Sequence, residues 1–374
     1  MRFFTLLASA GTAAAVPQMM GAAQPTGSPM AGGMGGMPGM SGGGHEGMDM
    51  SGSAAPAPAA PAPVPGTDAS TAIPAGVFIE PRLESTQMRD GGQRKDVPYG
   101  PFTVRPGGMA SVPAIGRPPC QDCFITAMQA NIVYLDGKEA NINTGAWLHH
   151  MVVMKGVGPV FASGNERTPL RLNNKYKYGL EVGRTDMMSM IIDLMSNSKE
   201  TITLRLVMSY EFIPKAQAIG YKDVYMRWND VGQPSAREGV YKFKSMARSI
   251  PVSGTLLYTN GHVHDGGTDT RLFINNKEVC RSTMLYGRRP GFMEAEGAME
   301  GGMEGMEGME GMKKRDGGHG QHISDSSTCQ DFGTIKTGDR MHIEAWYDSN
   351  KYPLMEHNGE KERLMGIMRV YIGS

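Results

Sequence analysis

Residues 201–212, TITLRLVMSYEF, alternate in character along the chain. Ile202, Leu204, Leu206, Met208, Tyr210 and Phe212 fall on one side, and Thr201, Thr203, Arg205, Ser209 and Glu211 on the other. A period of two belongs to a half-buried β-strand, because successive side chains of a strand point to opposite faces. Shorter strand-like runs recur at 130–137, 147–154, 223–230, 270–280, 341–348 and 364–372, many of them parted by Asn-Asn, Asp-Gly or Pro-Gly turn signals. No long stretch has helical periodicity. The pattern predicts an all-β chain of jelly-roll or β-sandwich type. Residues 76–374 are too many for one comfortable sandwich, so two tandem domains are expected, 76–245 and 246–374. Their boundary falls in or near the polar stretch 236–249.

The rest of the chain is compositionally biased. The start, MRFFTLLASAGTAAAVPQ, has an early Arg, a short apolar run and small residues near Ala15. Residues 1–17 therefore read as a secretory signal peptide, and no later run is long enough for a transmembrane helix. Residues 18–75 are Met/Gly-rich and then Ala/Pro-rich; residues 293–324 carry a Met-Glu-Gly repeat. Neither segment can bury enough apolar surface to offset its ordering entropy, so both are expected to be disordered, the second as a loop insertion. Lys plus Arg and Asp plus Glu balance at 37 each, with no basic patch, which argues against a nucleic-acid partner. A secreted protein, free or at the cell wall, is the expectation.

Two histidine pairs carry the chemistry. His149 and His150 lie in WLHHMVVM, His262 and His264 in NGHVHDGG, and Met365 and Met368 in the closing run LMGIMRVYI. Imidazole with thioether is a soft ligand set that suits copper, Cu(I) above all, better than calcium, magnesium or zinc. On a strand, His262 and His264 point to one face and form a ready chelate. Adjacent His149 and His150 would point to opposite faces unless the strand bulges or different ring nitrogens are used. Taken alone, each pair could equally be surface or core histidine, and methionine is an ordinary core filler. The methionine tracts, with His45, His319 and His322, either buffer Cu(I) or are solvated low-complexity chain.

Cys120 and Cys123 form CQDC with no further zinc ligands nearby. In an oxidising compartment a local Cys120–Cys123 disulfide is expected, leaving Cys280 and Cys329 to pair around the insertion. Other connectivities stay open at this point.

The order His-His-Met, then His-x-His, then a late Met resembles the copper type II, ascorbate-dependent monooxygenases, typified by peptidylglycine α-hydroxylating monooxygenase. A closer resemblance is to the stress up-regulated nodulin family. It rests on WLHHMVV, DLMSN before the strand ending SYEFIP, GHVHDGG, LFINNKEVCRSTMLYG and YDSN…LMGIMRVYI, over roughly residues 76–374. The monooxygenase resemblance implies two jelly rolls, an oxygen-activating copper on His262, His264 and Met365, and an electron-transfer copper on His149 and His150. The third histidine of that second site has no counterpart, and Asp193 of IIDLMSN stands in its place. The implied activity is ascorbate-dependent oxidation of an unknown small molecule or peptide. The alternatives are extracellular copper capture without catalysis, and a stress-related structural protein.

Overall fold

The computed structural model describes residues 73–292, 320–357 and 360–374. The expected signal peptide, nearly all of the low-complexity tail and residues 293–319 of the insertion lie outside the described residues. The insertion was expected to run to Ser324, but Ile323 and Ser324 already belong to a buried strand.

The first half contains β1 (Gln93–Val104), β2 (Met109–Gly116), β3 (Cys123–Tyr134), β4 (Ala146–Lys155), β5 (Gly158–Gly164), β6 (Leu170–Arg171), β7 (Leu180–Val182), β8 (Met188–Ser196) and β9 (Ile202–Pro214). One sheet runs β1-β9-β3-β6, with β7 also on β3; the second runs β2-β8-β4-β5. Leu204, Leu206, Met208 and Tyr210 of β9 are fully buried and meet Leu148, Met151, Ile192 and Leu194 of the second sheet in one core. The alternation of residues 202–212 thus forms one wall of a β-sandwich. Glu211, on the polar side of that alternation, is buried as well, because Arg171 and Arg94 both bind its carboxylate.

The second half contains β10 (Val224–Asp230), β11 (Val240–Lys244), β12 (Arg248–Ser249), β13 (Gly254–His262), β14 (Gly267–Ile274), β15 (Lys277–Tyr286), β16 (Ile323–Ser326), β17 (Thr328–Gln330), β18 (Thr334–Ile335), β19 (Arg340–Asp348), β20 (Glu356–His357), β21 (Glu360–Lys361) and β22 (Ile367–Gly373). Its sheets run β10-β22-β13-β17 and β11-β19-β14-β15-β16, and they enclose Leu256, Leu272, Ile343 and Val370. β10 and β11 precede the expected boundary at 245–246, yet they pair with β22 and β19. Strand pairing therefore divides between Pro214 and Val224.

Disulfides join Cys120 to Cys123 and Cys280 to Cys329. They are compatible with an extracellular protein. Among the described residues, no helix is long and apolar enough to cross a membrane.

The two sandwiches touch along β5 and β6. Tyr258 and Tyr371 of the second half are buried in the first half's core. Their hydroxyls donate to the carbonyls of Pro169 and Val160.

Candidate metal centre

Four histidines converge where the sandwiches meet. Two come from β4. Leu148 pairs with Leu194 of β8, but His150 pairs with the very next position, Asp193. His149 is therefore an extra residue, a β-bulge, and a bulge re-aims the side chains around it. The His149 and His150 rings stand with centroids 4.3 Å apart instead of on opposite faces.

The other two come from the end of β13. His262 is its last residue, paired with Ile367 of β22. His264 lies just past the strand end, and its carbonyl accepts from Gly267 N–H. The His264 ring centroid is 4.8 Å from that of His149 and 5.8 Å from that of His262. One nitrogen each from His149, His150 and His264 lies within 4.8 Å of the other two.

Each imidazole has an oxygen to orient it. Asp193 Oδ2 is 2.6 Å from His150 Nδ1, and Glu166 Oε2 is 3.1 Å from His262 Nδ1. His264 Nδ1 lies 2.8 Å from the Arg363 carbonyl oxygen. Glu362 reaches two rings, 2.8 Å from His149 Nε2 and 3.7 Å from His264 Nδ1. Such carboxylate or carbonyl partners fix the tautomer and heading of a ligand histidine.

Burial sets the charge states. It pushes His264 well below the ordinary imidazole range, helped by His149 beside it. Burial alone would raise the Asp193 carboxyl, but the hydrogen bond and charge of His150 outweigh it and hold Asp193 low. Glu166 is held low in the same way, by His262 and then Arg369 against its burial.

The donor set fits a metal ion. Metal–imidazole bonds are about 2.0–2.1 Å, so bound nitrogens in a tetrahedral set stand ~3.3 Å apart. The three nitrogens lie within 4.8 Å of one another, close to that spacing. The Nε2 atoms of His264 and His262 are buried with no hydrogen-bond partner among the described residues. An orphaned buried nitrogen is costly unless something binds it. A neutral imidazole such as His264 is also the form that ligates.

The grouping differs from the two sets expected from sequence, His262/His264/Met365 and His149/His150/Asp193. The nitrogens brought within one ligand sphere are those of His149, His150 and His264. His262 lies beside them, its ring centroid 6.4 Å from that of His150. Asp193 meets His150 at Nδ1. Met365 lies in the buried segment leading into β22, where the Tyr347 hydroxyl engages both its backbone carbonyl and its N–H. His322 packs its ring 4.5 Å from that of Trp147 and pairs with Asp265 at 2.6 Å. His45 and His319 lie outside the described residues.

Glu166, Glu362 and the Arg363 carbonyl escaped the sequence reading. Each is joined to its histidine by tertiary packing, and none sits in a motif that names it.

No known protein-family profile matches the chain. Two curated relatives do. The chain is 27% identical over 320 residues to the probable copper-dependent oxygenase M1 of Phoma sp., covering 77% of this chain and 76% of that protein. It is 26% identical over 266 residues to the probable copper-dependent oxygenase clz3 of Cochliobolus lunatus, covering 66% of this chain and 78% of that protein. Among solved structures the similarity is weak: the STIV MCP gives TM-score 0.33 and 8% identity over 75% of this chain and 96% of that one. The major capsid protein of bacteriophage PM2 gives TM-score 0.30 and 7% identity over 75% and 97%.

Proposed function

We propose that this chain is a secreted copper-dependent oxygenase, with its copper held by His149, His150 and His264 at the junction of two β-sandwich domains. The observation that carries the reading is the convergence of three imidazole nitrogens within 4.8 Å, from buried His149 and His264 and half-buried His150, contributed by both sandwiches. The names of the two relatives, probable copper-dependent oxygenases, support the choice of metal and of chemistry. All-imidazole coordination suits copper, although zinc shares the preference.

Bound copper supplies one-electron redox chemistry with dioxygen. The chain's own residues do the rest. Asp193 orients His150, the Arg363 carbonyl orients His264, and Glu362 steadies His149. Glu166 sets the ring of His262 beside the ligand set. A single centre has no internal partner to deliver a second electron, so an external reductant is required, and ascorbate is our choice. Secretion is supported by the leader-like residues 1–17 and by the two disulfides.

Copper capture without turnover is the second reading, favoured by the methionine-rich stretch between Met19 and Met50. Cu(II) electron paramagnetic resonance on the full chain tests both, because thioethers compete poorly for Cu(II). One tight Cu(II) with nitrogen couplings, lost in His264→Ala and in His149→Ala/His150→Ala, is the expected result. No tight Cu(II) overturns the site. Suppression of ascorbate-driven oxygen uptake below that of free copper would favour capture over catalysis.

A further inference from the structure

We infer that the outer face of the β2-β8-β4-β5 sheet is a docking track for an uncharged molecule with a hydrocarbon segment, leading to His150. The inference rests on the metal-centre reading and adds a substrate class to it.

Strand register defines the track. The inner face of this sheet supplies Met151, Val153, Met190 and Ile192 to the core. The alternate residues therefore face outward. His150 stands on that outer face, in one row with Asp193, Ser111 and Gly164. The next row is Pro113, Ile191, Val152 and Ala162, all apolar. Beyond it, Met154 pairs with Ser189, which pairs with Ile115. The outer face of an antiparallel sheet is ordinarily polar. Here neither row beyond His150 carries a charged side chain.

Exposed apolar side chains also stand at the far end of the sheet, where the charges of Lys155 and Asp186 are paired with each other. Ile115 is 74% exposed, Met187 70% and Val157 94%. Gly116 and Lys155 both pair with Met188, so these three side chains belong to one end of the sheet. Pro113 is exposed and Val152 and Ile191 are half-buried, while Ala162 and Met154 are already buried, so the open apolar surface runs over β2 and β8. Exposed apolar surface of this kind marks a binding site. From His150 to Lys155 the strand advances about 17 Å.

Charge selects the occupant. A charged ligand on these rows would lose hydration without a counter-charge. Asp193, the charged residue in the His150 row, is already engaged by His150. An uncharged chain loses nothing of that kind and buries apolar surface over Val152, Ile191, Pro113 and Ile115. It also brings a C–H bond to the edge of the metal centre.

The test is ligand-observed NMR with 1-octanol on the full chain, loaded with Cu(II) or metal-free, beside octanoate. Octanol should bind both forms, and Cu(II) should speed its proton relaxation in a gradient along the alkyl chain. Octanoate should bind about tenfold more weakly. Val152→Lys and Ile191→Lys should lose octanol binding by about tenfold while keeping the Cu(II) resonance spectrum. Val152→Thr repeats the test without added bulk, and Val240→Lys, exposed on the other sandwich, should change nothing. No octanol binding, or binding indifferent to Val152 and Ile191, overturns the track. Binding without relaxation by bound Cu(II) also overturns it. If no Cu(II) binds at all, the metal-centre reading fails, and octanol on the metal-free variants still decides whether the track exists.

Discussion

At Gly164 there is no room for one more carbon. A Cβ there would lie 2.4 Å from His262 Cε1 and 2.7 Å from Glu166 Oε2. Both contacts belong to the pair that holds His262 beside the site, so Gly164→Ala must push the ring or its carboxylate aside. Overpacking of this kind costs about 1–3 kcal/mol. The expected outcome is a lower denaturation midpoint in urea. Glu80 makes a second residue-scale case. Burial raises its carboxyl to about 7 from an ordinary 4.5, with the Arg171 guanidinium pulling the other way. The folded chain thus binds this proton more tightly than the unfolded chain does. The stability it adds is complete below pH 4.5 and falls as pH rises through about 7. His264 works with the opposite sign. Its depressed folded pKa adds stability above the ordinary 6.5 that is lost as pH falls. Only the difference between wild type and Glu80→Gln isolates the carboxyl. That difference should grow in favour of the variant as pH is raised from about 5 to about 7.5, in paired urea titrations.

The two disulfides differ at the scale of elements. Cys120 and Cys123 are 3 residues apart and restrain little of the unfolded chain. Cys280 of β15 and Cys329 of β17 are 49 apart and tie the two sheets of the second sandwich together. In the chain-entropy model the short loop is worth about 2 kcal/mol and the long one about 4. Calorimetry should therefore show Cys280→Ser/Cys329→Ser melting well below Cys120→Ser/Cys123→Ser. Elements are also where the sequence was most and least readable. β9 was legible because its period of two is local and complete. The heavy burial of Glu211 was not, because Arg171 comes from a different strand. The histidine pairs were legible as a candidate site, since imidazoles two apart or adjacent are visible in the chain itself. Their grouping was hidden. It depends on the bulge at His149, which is seen only against β8, and on the seating of the end of β13 over Gly164. Met365 was singled out by its place in the closing run; the Tyr347 hydroxyl that holds its backbone could not be read from the chain.

Across the whole molecule, the junction between sandwiches has two separate sources of cohesion. One needs no metal. Tyr258 and Tyr371 insert into the first core, Arg369 lies 5.6 Å from the Phe161 ring centroid, and the Thr168 and Ser326 hydroxyls meet at 2.9 Å. A metal-free protein built this way should unfold in one cooperative transition by calorimetry, because neither sandwich can leave without exposing the shared core. The second is the proposed metal centre, whose candidate ligands His149, His150 and His264 are divided between the sandwiches. Ligand binding to the folded state alone stabilises it by about 4 kcal/mol at a free concentration of ~1,000 times Kd. Since the proposed set closes only when both halves contribute, removing either side should abolish the entire Cu(II)-dependent rise in Tm, not a fraction of it. In a double-mutant cycle, His149→Ala added to His264→Ala should leave the residual shift unchanged. Two additive partial losses would mean that β4 and the end of β13 bind metal independently. The junction would then be held by its apolar contacts alone.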